Sequence, residues 1–180
     1  MIPAQSLDGS LSFSPLDSSF NLKRLSSTGF SSTVALWVYL GAGISGVKNL
    51  FSANLYTLEY NSTQKRLRLK YGTNFNWVQL VTPTDSIQPD TWTQIQVTYT
   101  GGQTGVASGS VSTYYNQFKI YINGISQTTS NSNANFGYNV SNIATTASFG
   151  STGIKTASVA IWSAVRNQTG ILNAYNSGKL

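Results

Sequence analysis

The chain has 180 residues, of which 40% are hydrophobic and only 9% charged, so it suits one domain with a sizeable core. The sequence contains no Cys and no His, which excludes disulfides, thiol catalysis, Cys/His zinc sites and any catalytic triad with an imidazole base. The net charge of +6 fits nucleic acid, acidic polysaccharide or an acidic protein shell as a partner, and equally a role in solubility alone.

The N-terminal residues 1–8 lack the basic segment followed by an apolar one that marks a secretory signal. No apolar run approaches the ~20 residues needed to span a bilayer. We therefore expect a chain that is complete at Met1, is made in the cytosol and associates with no membrane.

Apolar alternation predicts strands from the beginning of the chain onward. Residues 10–13 and 20–22 predict an opening strand and its partner. The most apolar stretch, residues 33–40, predicts a central strand that is covered on both faces. Two further strands are expected at residues 49–53 and 56–60, followed by a turn.

Residues 65–71 predict a strand in which Leu67, Leu69 and Tyr71 face inward, because successive side chains point to opposite faces. The outward side chains would then form a row of cations about 7 Å apart: Arg66, Arg68 and Lys70. Residues 73–81 predict a loop and one more strand.

The most regular alternation predicts two facing strands at residues 92–99 and 118–126. Polar and apolar side chains alternate in the first, as in a half-buried strand. In the second, Asn123-Gly124 follows an apolar run and predicts a tight hairpin turn.

Two long loops separate the predicted C-terminal elements. They are rich in small and polar residues and cover 101–115 and 131–142, and loops of this length are more often functional than idle. Closing strands are expected at residues 147–150 and 157–162, and a short terminal helix at 167–176.

Four motifs follow one another along the chain: an early strand with Trp37-Val38, the Trp-led strand at 92–99, the Asn-Gly hairpin, and the terminal Tyr175-Asn-Ser-Gly178. Their order resembles the laminin-G-like branch of the concanavalin A-like lectin/glucanase superfamily. The resemblance implies an all-β fold over residues 1–180, a two-sheet antiparallel β-sandwich of the jelly-roll type with a short C-terminal helix. Many relatives carry an acidic pair where this chain has Ala157-Ser158, so no role of that pair carries over.

The acidic residues argue against catalysis. Glucan-hydrolysing members of the superfamily cluster their carboxylates on one strand, and glycoside cleavage needs two carboxyl groups. No two of the five acids here are two or four residues apart: Asp8, Asp17, Glu59, Asp85 and Asp90. We expect no enzyme activity and no cofactor, with a polysaccharide lyase as the open alternative. A calcium site also stays open, although Asp85 and Asp90 form no recognisable binding loop.

Loop aromatics and amides are the candidates for a glycan site, because a sugar stacks on an aromatic face and hydrogen-bonds to amides. The candidates are Asn74, Asn76, Trp77, Tyr114, Tyr115 and Tyr138. The alternative explanation is that these loops pack over the end of the sandwich. The strand tryptophans Trp37, Trp92 and Trp162 are expected in the core.

The cationic row of Arg66, Arg68 and Lys70 is the candidate contact for phosphate, uronate or an acidic protein surface. The alternative is that it protects an exposed strand from edge pairing. Nucleic acid is not expected as a partner, because the cations lack interleaved aromatic residues.

A freestanding sandwich with no signal peptide and no Cys fits a virion protein, made in the host cytoplasm and exposed on the virion surface. By this analogy we expect a non-enzymatic phage or viral surface protein of the capsid-decoration, head-fibre or adhesin type. It would bind capsid or tail proteins, and host-cell polysaccharide as well, as a homo-oligomer, for which we predict a trimer. The alternatives are a freestanding carbohydrate-binding module and a polysaccharide-degrading enzyme.

Overall fold

The computed structural model describes residues 7–8, 11–13, 31–53, 56–72, 77–100, 115–134, 147–162, 164–178 and 180. In chain order its strands are β1 (Leu7–Asp8), β2 (Leu11–Phe13), β3 (Ser32–Leu40), β4 (Val47–Ala53), β5 (Tyr56–Asn61), β6 (Arg66–Gly72), β7 (Trp77–Val81), β8 (Trp92–Tyr99), β9 (Phe118–Ile122), β10 (Ile125–Ser126), β11 (Ser130–Ala134), β12 (Ala147–Phe149) and β13 (Ile154–Trp162). A helix, α1 (Gln168–Ser177), follows them.

The strands form two antiparallel sheets, which confirms the predicted β-sandwich. The first sheet has the order β1-β13-β3-β8-β9-β10, and the second has the order β11-β7-β6-β5-β4-β12-β2. Every pair of neighbouring strands is antiparallel. No helix in the described part of the chain is long and apolar enough to span a membrane.

Aliphatic, Phe and Tyr side chains from both sheets fill the space between them. Leu36 and Val38 of β3 face Leu58 of β5 and Leu67 and Leu69 of β6 across one continuous cluster, all of them buried. The inward positions alternate along each strand, so this layer follows directly from the period of two in the sequence. Burying these apolar side chains supplies the main driving force for folding.

Of the three strand tryptophans predicted to lie in the core, Trp37 is buried, as predicted, whereas Trp92 and Trp162 are only half-buried. The core cluster contains no Trp, because the registers place Trp37, Trp92 and Trp162 on the outer face of the first sheet. Trp37 is buried there because its ring stacks on Tyr175 of α1, with ring centroids 5.9 Å apart. Trp92 and Trp162 lie on the same face and remain half-buried.

Helix α1 also explains why β8 differs from the half-buried strand predicted for it. Seven of its eight residues are buried, and Gln94 and Gln96 on the polar face are fully covered. The side-chain amide of Gln96 donates to Gln94 Oε1 at 2.7 Å and to the carbonyl of Ile171 in α1 at 3.5 Å. The polar face therefore lies under the helix and not in solvent.

The turn and helix predictions are confirmed in detail. Asn123 and Gly124 both have positive φ, 50° and 77°, as a two-residue hairpin between β9 and β10 requires. The side-chain oxygen of Asn167 accepts a hydrogen bond from Gly170 N at 2.8 Å and caps α1.

Two predicted segments differ from the structure. Residues 131–134 are not a loop, because β11 pairs with β7 along its whole length. The opening strand β2 pairs with β12, whereas its predicted partner at residues 20–22 lies outside the described residues. Most of the predicted loop at 101–115 also lies outside them.

Candidate functional site

The outer face of the second sheet carries a compact set of charged, amide and aromatic side chains, which we call the basic face. Antiparallel pairing places Glu59 opposite Arg68, Lys70 opposite Gln79, and Trp77 opposite Gly72. The basic face comprises eight residues of β5, β6 and β7: Glu59, Asn61, Arg66, Arg68, Lys70, Trp77, Gln79 and Val81. Helix α1 packs on the outer face of the first sheet through Tyr175, whereas the side chains of the basic face are partly exposed, except that of Val81, which is buried.

One cation of the basic face is already paired. Two nitrogens of the Arg68 guanidinium donate to Oε2 of Glu59. The Arg68 side chain is 39% exposed and that of Glu59 19%, so the guanidinium remains the more accessible partner. Glu59 is the only carboxylate that the described residues place on this face, and Arg66 and Lys70 have no carboxylate partner among them. The face therefore has a net positive charge.

The one tryptophan of the basic face is half-buried and lies beside a cation. The Lys70 ammonium is 5.8 Å from the centroid of the Trp77 ring, a cation–π geometry. On the other side of Lys70, the two arginines line a depression of about 60 Å³ together with Glu59, Asn61 and Gln79. An aromatic surface, cations and amides therefore lie within one continuous patch.

The amide N–H groups of this patch make only long hydrogen bonds. Gln79 Nε2 donates to Ser132 Oγ of β11 at 3.4 Å, and Asn61 Nδ2 donates to Gln64 Oε1 at 3.4 Å, whereas Asn61 Oδ1 accepts from Gln64 N at 3.1 Å. The two long bonds are weak, so these N–H groups can donate to a ligand hydroxyl instead. The guanidinium groups offer planar, paired N–H donors that match a carboxylate. The patch can thus bind a ligand that has an apolar face, hydroxyl groups and a negative charge.

The structure brings together two candidate sets that the sequence kept apart. Trp77, a glycan candidate, lies on the same face as the cationic row Arg66, Arg68 and Lys70. Tyr115 is partly buried and packs against the core cluster, and this burial raises the pKa of its hydroxyl. The other four glycan candidates lie outside the described residues: Asn74, Asn76, Tyr114 and Tyr138.

The sequence reasoning overlooked Glu59, Asn61 and Gln79. Their signal was present, because Gln79 is two residues from Trp77 and must share its face in a strand. Glu59 and Asn61 likewise alternate with the inward Leu58 and Tyr60. The missing information was which strands pair, since pairing alone decides that these side chains meet.

No protein-family model matches this sequence, and no curated protein matches it. Solved structures do resemble its fold. The binding domain of botulinum neurotoxin serotype D aligns with a TM-score of 0.64 at 13% identity, over 96% of this chain and 42% of that one. The binding domain of botulinum neurotoxin DC, solved in complex with SialylT, gives 0.62 at 11% identity, over 94% and 40%.

A third similar structure is the Trypanosoma rangeli sialidase in complex with 2,3-difluorosialic acid, with a TM-score of 0.53 at 14% identity, over 82% of this chain and 23% of that one. This chain thus spans less than half the length of the structures it resembles. At such low identity the likeness shows the fold alone, a two-sheet antiparallel β-sandwich. Membership of the laminin-G-like branch stays a prediction.

Proposed function

We propose that this chain is a carbohydrate-binding module that holds acidic glycans on its basic face. The observation that carries the proposal is the position of Trp77 beside Lys70, on the same partly exposed face as Arg66 and Arg68. The apolar face of a sugar ring packs against an aromatic side chain, and its carboxylate pairs with a guanidinium. Both contacts would be made at once by a uronic or sialic acid residue.

This proposal takes the carbohydrate-binding alternative ahead of the virion-surface hypothesis. Two of the similar structures are binding domains, and one of them was solved with SialylT. These are properties of those proteins, and they guide the choice of probe for this one. A virion-surface setting, with shell or tail proteins as neighbours and a trimeric assembly, stays a prediction that the proposal neither needs nor excludes.

The arrangement of the carboxylates favours binding over hydrolysis. Glycoside cleavage uses two carboxyl groups that flank one bond. The three acids whose surroundings the structure describes lie apart: Glu59 pairs with Arg68, Asp85 pairs with Lys65 at 3.4 Å, and Asp90 bonds to the backbone of another loop. The described residues contain no cluster of three or more acids that could hold a metal ion.

The proposal is tested by calorimetric titration with two pairs of probes that differ in charge. The pairs are sialyllactose with lactose, and tetragalacturonate with its methyl ester. We expect the acidic member of at least one pair to bind more tightly than its neutral counterpart. Trp77→Ala should weaken that binding about tenfold, equivalent to about 1.4 kcal/mol.

Trp162→Ala is the matched control, because Trp162 is also half-buried but lies on the other sheet, where its ring stacks on Arg166 at 4.5 Å. The Trp162→Ala variant should bind the acidic probes as tightly as the wild type does. Failure of both acidic probes to bind, a loss in Trp77→Ala that is as large for the neutral member as for the acidic one, or equal losses of acidic binding in the two variants would each overturn the proposal.

A further inference from the structure

A second aromatic surface lies on the opposite side of the molecule, at one end of the first sheet. Neighbouring strands β13, β3 and β8 place Lys155, Tyr39 and Trp92 in a single row across its outer face. In the next row, Trp37 is buried under Tyr175 of α1. In the row at the end of the sheet, Tyr39 and Trp92 are half-buried and Lys155 is exposed. We call these three residues, together with Asp90, the aromatic ledge.

The two rings of the aromatic ledge contact each other at a steep angle. The Tyr39 and Trp92 centroids are 5.9 Å apart, and the ring planes are inclined by 59°. The Lys155 ammonium lies 5.5 Å from the centroid of the Tyr39 ring on its other side. We place the sugar on Trp92, which has the larger ring of the pair.

The carboxylate of Asp90 is fixed beside these rings. Its Oδ1 accepts hydrogen bonds from Ala42 N at 2.9 Å and from the Tyr39 hydroxyl at 3.3 Å. The backbone N–H of Asp90 donates to the carbonyl of Leu40 at 2.8 Å, and its φ of 59° is a left-handed conformation that non-glycine residues rarely adopt. No described residue bonds to the second carboxylate oxygen, Oδ2.

The Tyr39 hydroxyl stays a hydrogen-bond donor in this arrangement. Burial, and then the charge and hydrogen bond of Asp90, raise the pKa of Tyr39 above its usual value. The hydroxyl therefore keeps its proton in neutral solution and goes on donating to Oδ1. The result is a carboxylate whose position is set before any ligand arrives, which lowers the entropic cost of binding.

We propose that the aromatic ledge is a second saccharide site, specific for neutral pyranose residues. The sugar ring would stack on Trp92 and one of its hydroxyls would donate to Asp90 Oδ2, while a hydroxyl of the neighbouring sugar residue would accept from the Lys155 ammonium. One carboxylate and one ammonium balance each other here, in contrast to the net positive basic face. Because these two charges balance, an acidic sugar gains no net attraction here, so the ledge favours uncharged rings that bind through their hydroxyl groups.

Two sites on the outer faces of opposite sheets would make a single copy bivalent. The sheets of a sandwich lie about 10 Å apart, and their outer faces point in opposite directions. One chain therefore can hold an acidic glycan on one side and a neutral glycan on the other. Such a molecule links two glycan chains without oligomerising.

The ledge is tested by titration with three neutral probes: cellotetraose, maltotetraose and lactose. We expect at least one to bind, and Asp90→Asn and Trp92→Ala each to weaken it tenfold or more. Asp90→Asn keeps a residue that tolerates the left-handed backbone and an oxygen for Ala42 N, so its fold should be retained. Trp77→Ala and Trp162→Ala should leave the affinity for neutral probes unchanged.

The outcomes separate this proposal from the function assigned to the basic face. Absence of binding by all three neutral probes, or unchanged affinity in folded Asp90→Asn, would overturn the ledge while leaving acidic binding untouched. Loss of neutral binding in Trp77→Ala would also overturn it, because the neutral sugar would then occupy the basic face. Acidic probes that lose affinity only in Trp77→Ala would support the basic face independently.

Discussion

Glu59→Gln should raise the affinity of the basic face for acidic glycans. Glu59 is the only carboxylate placed on that face by the described residues, and it accepts two hydrogen bonds from Arg68. Neutralising it frees the guanidinium and removes repulsion of a bound carboxylate. Two unit charges 4 Å apart interact by about 1 kcal/mol in water and about 4 kcal/mol at an effective dielectric of 20. A gain of about 1 kcal/mol, or about fivefold in affinity, follows for this partly exposed site.

The same substitution should slightly lower the stability of the fold. The pair is partly exposed, and such ion pairs contribute about 0–1 kcal/mol. Tighter binding combined with equal or lower stability is a result that misfolding cannot imitate. The assay is calorimetric titration with tetragalacturonate and its methyl ester, with denaturant unfolding in parallel.

Asp90→Asn serves as the charge-matched control, because it removes one negative charge, as Glu59→Gln does, but beside the first sheet. Its affinity for tetragalacturonate at the basic face, followed through the Trp77 indole signal, should stay near that of the wild type. The reasoning fails if Glu59→Gln binds the acidic probe no better than the wild type does. It fails equally if the methyl ester gains as much, or if Asp90→Asn gives the same increase.

Three further predictions concern stability, each measured by denaturant unfolding. Gly124→Ala should destabilise the fold by about 1–3 kcal/mol, because φ is 77° and the added Cβ would lie 2.9 Å from Leu172 Cδ1. The control Gly43→Ala has open space around the added Cβ and should change stability by less than about 0.5 kcal/mol. Equal effects of the two substitutions would contradict this prediction. Asn167→Ala should cost about 1 kcal/mol through loss of the helix cap, and Asn167→Ser should restore most of it; a neutral Ala variant would be the contrary result. Burial raises the pKa of the Tyr56 hydroxyl, so the native state keeps a proton that the unfolded chain loses above pH about 10. The free energy of unfolding should therefore fall as the pH rises beyond that value. Tyr56→Phe should flatten this alkaline loss and be neutral or stabilising at pH 7, since the buried hydroxyl has no described hydrogen-bond partner; an unchanged alkaline slope would refute it.

The strands and their inward faces could be predicted because alternation has a physical cause. In β6, Leu67 and Leu69 are buried and the alternating Arg66 and Arg68 are not, as a period of two requires. The Asn123-Gly124 turn could be predicted because few residues tolerate positive φ. Both signals are local, so a single sequence contains them.

The placement of the tryptophans could not be predicted, because it depends on contacts between distant segments. Trp37 is buried by Tyr175, which is 138 positions further along the chain. Trp77 meets the cationic row only because β7 pairs with β6. The segment Ser130–Ala134 has a composition poor in strand formers, and its pairing with β7 overrides that preference.

Nuclear magnetic resonance of the four tryptophan indole N–H groups tests the central claim most directly. Each tryptophan reports on a different environment: the basic face (Trp77), the aromatic ledge (Trp92), the helix contact (Trp37) and the far end of the first sheet (Trp162). Tetragalacturonate or sialyllactose should shift the Trp77 signal in a saturable manner and leave those of Trp37 and Trp162 in place. A Trp77 signal that does not move at saturating concentrations of both acidic probes would contradict the account.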